Sequence, residues 1–372
     1  MRRVSFGASC SRKGRSVLWF TGLLFIIVCG FPSASGAREQ DWGKVVADAK
    51  KEGTVLVYTS LRPEARSATG KAFHDKYGIT VDWVMGRQGE LIARLKKEYS
   101  SGLKLLDLML SSPENIVAEL APTGIFAPIA PFLTLPDVVD AKKWRNDKIP
   151  IFNGIAVKTT VVATEYRVVN KELVREGDIT STMDLLQPRW KGKIAIGDPS
   201  ISGGANEWFT NEVFVLKRGL DLMRRLAKQD PVIVRDQRLM VEGLMHGKHS
   251  IMIGNSVSVP AGLIASGANI DFLKTKEPRV LSYAGNLVML AKEASHPNAA
   301  KLFLNWLLSK EGSSIFAPAS QYPSTRKDVS TEGFIPALVP RTGDIDPLEM
   351  DGYMEAKNRA LKEAAEIFGL RK

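Results

Sequence analysis

From Thr54 onward, short apolar runs alternate with longer stretches in which apolar residues recur every three or four positions. "TVLVYTS" (54–60) is a continuous apolar run of strand length, the pattern of a strand covered on both faces. "PEARSATGKAFHDKYG" (63–78) follows as a helix, with Pro63 in its first turn and Gly78 at its end. "ITVDWVM" (79–85) and "LLDLMLSS" (105–112) are further strands around the amphipathic helix "GELIARLKKEYSSG" (89–102). Another helix starts at Pro113 and stops at Gly124. Strands and helices in this alternation predict a parallel sheet with right-handed crossovers.

After Gly124 the period disappears into a Pro-rich polar stretch, and two long β-branched runs follow, "IAVKTTVVATEYRVVN" and "RVLSYAGNLVMLAKEA". They flank a middle segment in which strand and helix patterns resume. The chain is expected to leave a first domain, build a second, and return. "PNAAKLFLNWLLSKEGSSIF" predicts one amphipathic helix with Phe303, Trp306 and Leu307 on its apolar face, and a charged helix covers about 350–367.

The first 37 residues have a different character. A basic head (Arg2, Arg3, Arg12, Lys13, Arg15), the apolar run "SVLWFTGLLFIIVCGF" and the small-residue exit "PSASGA" make a secretory signal peptide, with cleavage expected after Ala37. Both cysteines, Cys10 and Cys29, fall in it, so the expected mature chain has no thiol for a disulfide or a nucleophile. Removing the five basic residues from 51 leaves 46 Lys and Arg against 40 Asp and Glu, a net charge of +6 instead of +11. That charge is spread along the chain without aromatic interleaving, which argues against a nucleic-acid partner.

In open α/β sheets ligands bind beyond the C-terminal ends of strands, where loops enter helices. Four such loops carry hydroxyls, bare backbone or arginine: Thr59, Ser60 and Arg62; Arg87; Ser111 and Ser112; and Ser200, Ser202, Gly203 and Gly204. Helix starts favour anions, glycine lets their amides come close, and arginine grips carboxylate or phosphate by two hydrogen bonds. The alternative for each loop is an ordinary helix cap. The four histidines, His74, His246, His249 and His296, are expected at the surface, and there is no nucleophile elbow, zinc helix or Walker loop. Tyr283, early in the second β-branched run, is placed to face a cleft.

The segments "EGTVLVYTS", "LDLMLSSPE", "RWKGKIAIGDPSISGGA", "VEGLMHGKHSIMIGNS" and "QYPSTRKDV" resemble, in order, the ferric-iron-binding type of ABC-transporter solute-binding proteins. The resemblance implies the α/β fold of a type 2 periplasmic binding protein, two Rossmann-like lobes joined by two β crossovers. It divides the chain into a signal peptide (1–37), a first lobe (38–157 and 288–372) and a second lobe (158–287). It implies a periplasmic, monomeric receptor that hands its cargo to an inner-membrane permease, with no cofactor. Iron-binding members use a His, a Glu and a Tyr pair. The matching positions here are Arg62, Ser112, and Ser256 with Val257, so all the metal ligands are replaced. The family's phosphate-holding Ser-Gly-Ala loop matches Ser202, Gly203 and Gly204, with Asn255 and Ser256 beside it. The expected ligand is therefore a small anion bearing phosphate, phosphonate or carboxylate. The alternatives are a ferric ion or chelate held by other ligands, and an enzyme on the same scaffold, which would need a nucleophile the mature chain does not offer.

Overall fold

A computed structural model describes residues 34–112, 119–255, 257–347 and 352–370. The signal-peptide expectation and Ser256 lie outside them, apart from residues 34–37, which begin a helix. Contacts divide the chain into two units, 1–41 and 42–372; all that follows concerns the second.

The elements are α1 (Ala34–Glu52), β1 (Thr54–Thr59), α2 (Pro63–Tyr77), β2 (Thr80–Met85), α3 (Gln88–Ser100), β3 (Leu108–Ser111), α4 (Pro136–Val139), β4 (Ile151–Phe152), β5 (Ala156–Ala163), β6 (Arg167–Asn170), β7 (Ile194–Gly197), α5 (Gly204–Thr210), α6 (Gly219–Ala227), β8 (Val232–Val234), α7 (Gln237–Met245), β9 (Ile251–Ile253), α8 (Ser258–Ala265), β10 (Ile270–Phe272), β11 (Leu281–Leu290), α9 (Pro297–Leu308), α10 (Lys310–Ser320) and α11 (Tyr353–Ile367). Several begin and end as their sequences dictate. Pro63 opens α2, where a missing N–H costs nothing, and Gly78 closes it at φ 72°.

Two sheets result, one of six strands in the order β2-β1-β3-β11-β5-β4 and one of five in the order β10-β6-β9-β7-β8. Each buries both faces, as continuous apolar strands require. In the first, Val55, Val57, Leu108 and Leu110 face a core with Phe73, Phe303 and Trp306, while Tyr58, Met109 and Leu287 face Leu91 and Leu95. In the second, Ile194, Ile196, Ile251 and Ile253 pack on Trp208 and Phe209, and Ala195, Met252 and Phe272 on Met240 and Leu244. Full burial of each large apolar side chain contributes about 1.5–3 kcal/mol.

The crossovers fix how the sheets are arranged. β5 and β11 belong to the first sheet, and β5 runs antiparallel to β11, which runs antiparallel to β3. β5 therefore leaves the first sheet at the edge where β1, β2 and β3 end. Three residues later β6 enters the second sheet with Arg167 opposite Ile253, the last residue of β9. That is the edge where β7, β8 and β9 end. The C-terminal edges of both sheets thus adjoin the same crossing.

Two expectations need correction. The predicted tail helix is two helices, because Ser309 is extended (ψ 165°) and its hydroxyl accepts from the Gly312 amide to start α10. Gly312 is required there, since a Cβ on it would lie 2.0 Å from the Trp306 carbonyl oxygen. The C-terminal segment does not stay with the first sheet. It pairs Ile345 with Val280 beside the crossing, where Asp344 bridges Arg279 at 2.7 Å and Asp346 bridges Lys158 at 2.8 Å. α11 then packs on the second sheet's helices through Ala360 and Ala364, and Tyr353 donates to Asn211 Oδ1 at 3.0 Å. The small residues on one face of α11 let it approach closely, a signal that names no partner in the sequence.

Candidate functional site

At the first edge, three loops interlock. The Thr59 hydroxyl donates to the Leu110 carbonyl at 2.6 Å and accepts from the Leu61 amide at 3.0 Å. Thr59 is fully buried, so it clamps β1 to β3 and is not itself open to a ligand, contrary to the expectation for it. Ser60 Oγ lies 2.6 Å from Ser111 Oγ, and Gln88, which the sequence pattern did not single out, bonds the Ser112 hydroxyl. Arg62 and Arg87 are exposed and stand at the N-caps of α2 and α3. Arg62 has only a loose ion pair with Glu64, at 3.3 Å. Among the described residues no side chain caps α2, which leaves its first amides open to solvent or solute. At α3 the Glu90 carboxylate already accepts from the Arg87 amide.

The second edge is built around α5. The N-cap is Gly203, with φ 150° and ψ −169°, a conformation open only to glycine, and among the described residues no side chain caps the helix. Ser202 is exposed and does not act as the cap. Gly204 has a separate reason: a Cβ there would come within 3.0 Å of the Gly254 and Asn255 carbonyl oxygens. The two glycines seat the helix start against the end of β9. Asn255 is 1% exposed, its Nδ2 rests 3.5 Å from Met252 Sδ, and its Oδ1 has no partner among the described residues.

Ser200 is tied down. Its amide and hydroxyl both donate to Asp198 Oδ1, at 2.9 and 2.6 Å, and Arg235 Nε donates to Asp198 Oδ2 at 2.9 Å. Burial pushes the Asp198 carboxyl up, but the Ser200 donors and Arg235 outweigh it and hold it below the usual range. Arg235 is the residue sequence reasoning missed. It follows a three-residue edge strand whose pattern gave no sign that it would meet the Ser200 loop.

The structure thus brings Ser60, Arg62, Arg87, Ser111 and Ser112 to one edge, and Ser200, Ser202, Gly203, Gly204 and Asn255 to the other. Tyr283 lies in β11 on the crossing, and its side chain is outside the described residues. Among the described residues no hydrogen bond joins the two groups, and no cluster of three or more His, Asp or Glu is placed to hold a metal. His249, expected at the surface, is 4% exposed against Gly243, and its pKa is lowered by burial and then by Lys248. His296 is also engaged, with Nδ1 2.8 Å from Asp107 Oδ2. A cavity lies beside the crossing, between Tyr166, Arg167, Trp208, Glu212 and Arg218, and none of the predicted site residues lines it.

Residues 68–340 match the bacterial extracellular solute-binding protein family, close to three-quarters of the chain. The chain belongs to that family. An uncharacterized protein of Haemophilus influenzae is 24% identical over 278 residues, 72% of this chain and 76% of the relative. A Bordetella ferric binding protein has a similar fold, with TM-score 0.65, 15% identity, and coverage of 84% of this chain and 98% of the other. So does the periplasmic binding protein AfuA of Actinobacillus pleuropneumoniae with fructose-6-phosphate bound, with TM-score 0.53, 17% identity, and coverage of 86% and 99%.

Proposed function

We propose that the protein is the periplasmic receptor of an ABC importer and binds a small anionic solute between its lobes, acting as a monomer that delivers the solute to a permease. One observation carries the anionic part of this reading. The helix starts at Arg62 and Gly203 follow strands of different sheets, at the two edges that adjoin the crossing, and among the described residues neither has a side-chain cap. Uncapped amides and the helix dipole attract negative charge, and exposed Arg62 adds a donor fork. The fructose-6-phosphate on a protein of the same fold is consistent with such a ligand. The positions matching an iron-binding site hold Arg62, Ser112 and Val257, and a cationic side chain among them opposes direct ferric binding.

Thermal unfolding with phosphate esters, phosphonates, carboxylates and ferric citrate tests the reading. A ligand present at about 100 times its Kd adds about 2.7 kcal/mol of stability. Arg62→Ala and Ser202→Ala are each expected to weaken binding of the stabilising anion by about 1.5–3 kcal/mol, the range for hydrogen bonds to charged groups. Stabilisation by ferric citrate and by none of the phosphate, phosphonate or carboxylate compounds would refute the assignment.

A further inference from the structure

The second edge holds one arginine whose contacts leave it unusually well prepared to grip a solute. Arg235 stands directly after β8, beside the end of β7. Its Nε is fixed by Asp198, whose side chain is fully buried, while the Arg235 side chain remains 68% exposed. The same carboxylate holds Ser200, so the arginine and the loop carrying Ser202 and Gly203 form one unit. Among the described residues, Nη1 and Nη2 of Arg235 make no hydrogen bond, so the outer donor pair of the guanidinium is unspent. A guanidinium held at Nε by a buried carboxylate loses less freedom on gripping an anion than a free side chain does.

We propose that Arg235 is the ligand-gripping residue of the second lobe and that, with Arg62 from the first, it selects phosphate monoesters over carboxylates. The inference rests on the anion-receptor reading above. A carboxylate has two oxygens, and one bidentate guanidinium engages both. Forks arriving from opposite edges need more acceptors, which the three terminal oxygens of a phosphate monoester supply, together with a second negative charge.

Calorimetric titration with glycerol 3-phosphate and with acetate tests this on the wild type, Arg235→Gln, Arg235→Lys and Arg62→Ala. Arg235 pairs with the buried Asp198, so Arg235→Gln is expected to lower the unfolding temperature of the unliganded protein, and all titrations are run well below that transition. Arg235→Gln is expected to weaken glycerol 3-phosphate binding about tenfold or more. Arg235→Lys, which keeps the charge and loses the fork, should fall between it and the wild type. Acetate should bind the wild type more weakly than the ester, with no further loss in Arg235→Gln. If Arg62→Ala weakens ester binding and Arg235→Gln does not, Arg235 is a surface ion-pair partner only: the inference fails and the receptor reading stands. If the wild type binds acetate as tightly as the ester, the selectivity fails. If it binds no anion at all, the receptor reading falls and this inference with it.

Discussion

Arg167→Ala is expected to destabilise the protein by about 3–5 kcal/mol, the usual cost of leaving a buried charge without its partner. Arg167 Nε and Nη2 bond the two Glu165 oxygens at 2.6 and 3.0 Å, Nη1 bonds Thr182 at 2.8 Å, and Glu277 lies 3.5 Å away. Both members of the Arg167–Glu165 pair are nearly inaccessible, with side chains 7% and 3% exposed. Burial lowers the arginine's pKa, yet Glu165 more than offsets this and raises it overall. Glu212 feels the same burial less well compensated: its pKa is raised, with Arg167 and Arg218 pulling the other way. Deleting Arg167 would leave Glu165 and Glu212 in the interior with one cation fewer. Urea unfolding reads the loss as a lower midpoint at unchanged slope. The double replacement Arg167→Met with Glu165→Leu should recover most of the stability, because the cost comes from the stranded charge. If the single substitution costs less than about 1 kcal/mol, the pair is not the desolvated contact described.

The second large effect is expected at Gly254. Its φ is +84°, and a Cβ would lie 2.6 Å from both Cα and Cβ of Ala205, in the first turn of α5. A left-handed non-glycine residue and an overpacked helix contact each cost about 1–3 kcal/mol, so Gly254→Ala should lose about 2–6 kcal/mol in all. It should also weaken solute binding in the molecules that remain folded, because α5 can relieve the clash only by moving its start away from β9. Gly203→Ala is the comparison. A Cβ there meets nothing within 4 Å, so it carries the backbone strain without the clash. Unfolding midpoints and titrations of both variants separate the two contributions. Equal losses of stability in both would mean that the approach of α5 to β9 is not what Gly254 serves.

Much of this architecture was legible in the chain. Apolar runs bounded by Pro63 and Gly78 mark elements because each bound acts locally, through a missing N–H or a permissive φ. The four loops were legible for the same reason, since strand ends and helix starts alternate in the sequence. Long-range pairings were not. "EYRVVN" reads as part of a β-branched run, and nothing in it says that Arg167 is drawn inside by Glu165, Thr182 and Glu277. Ser60 and Ser111 meet across 51 positions, and Asp198 finds Arg235 across 37. Thr59 had the right residue type at the right place, yet its hydroxyl is consumed by Leu110. The α11 helix shows the limit most plainly, since its pattern predicts an apolar face without saying which lobe will cover it.

The measurement that bears most directly on the central claim is a distance between the two edges that adjoin the crossing. With Cys10 and Cys29 replaced, residues 34–372 contain no other cysteine, so spin labels at Ser67→Cys and Arg238→Cys report only on these positions. Ser67 lies in the first turns of α2 and Arg238 in the first turn of α7, both exposed and both at the edges that adjoin the crossing. If an anion is gripped from both lobes, the label-to-label distance shortens when the stabilising phosphate ester is added, and in Ser202→Ala it shortens only at roughly ten- to a hundredfold more ester. A distance unchanged at saturating ester would contradict the account, because the two helix starts would not be closing on a shared solute.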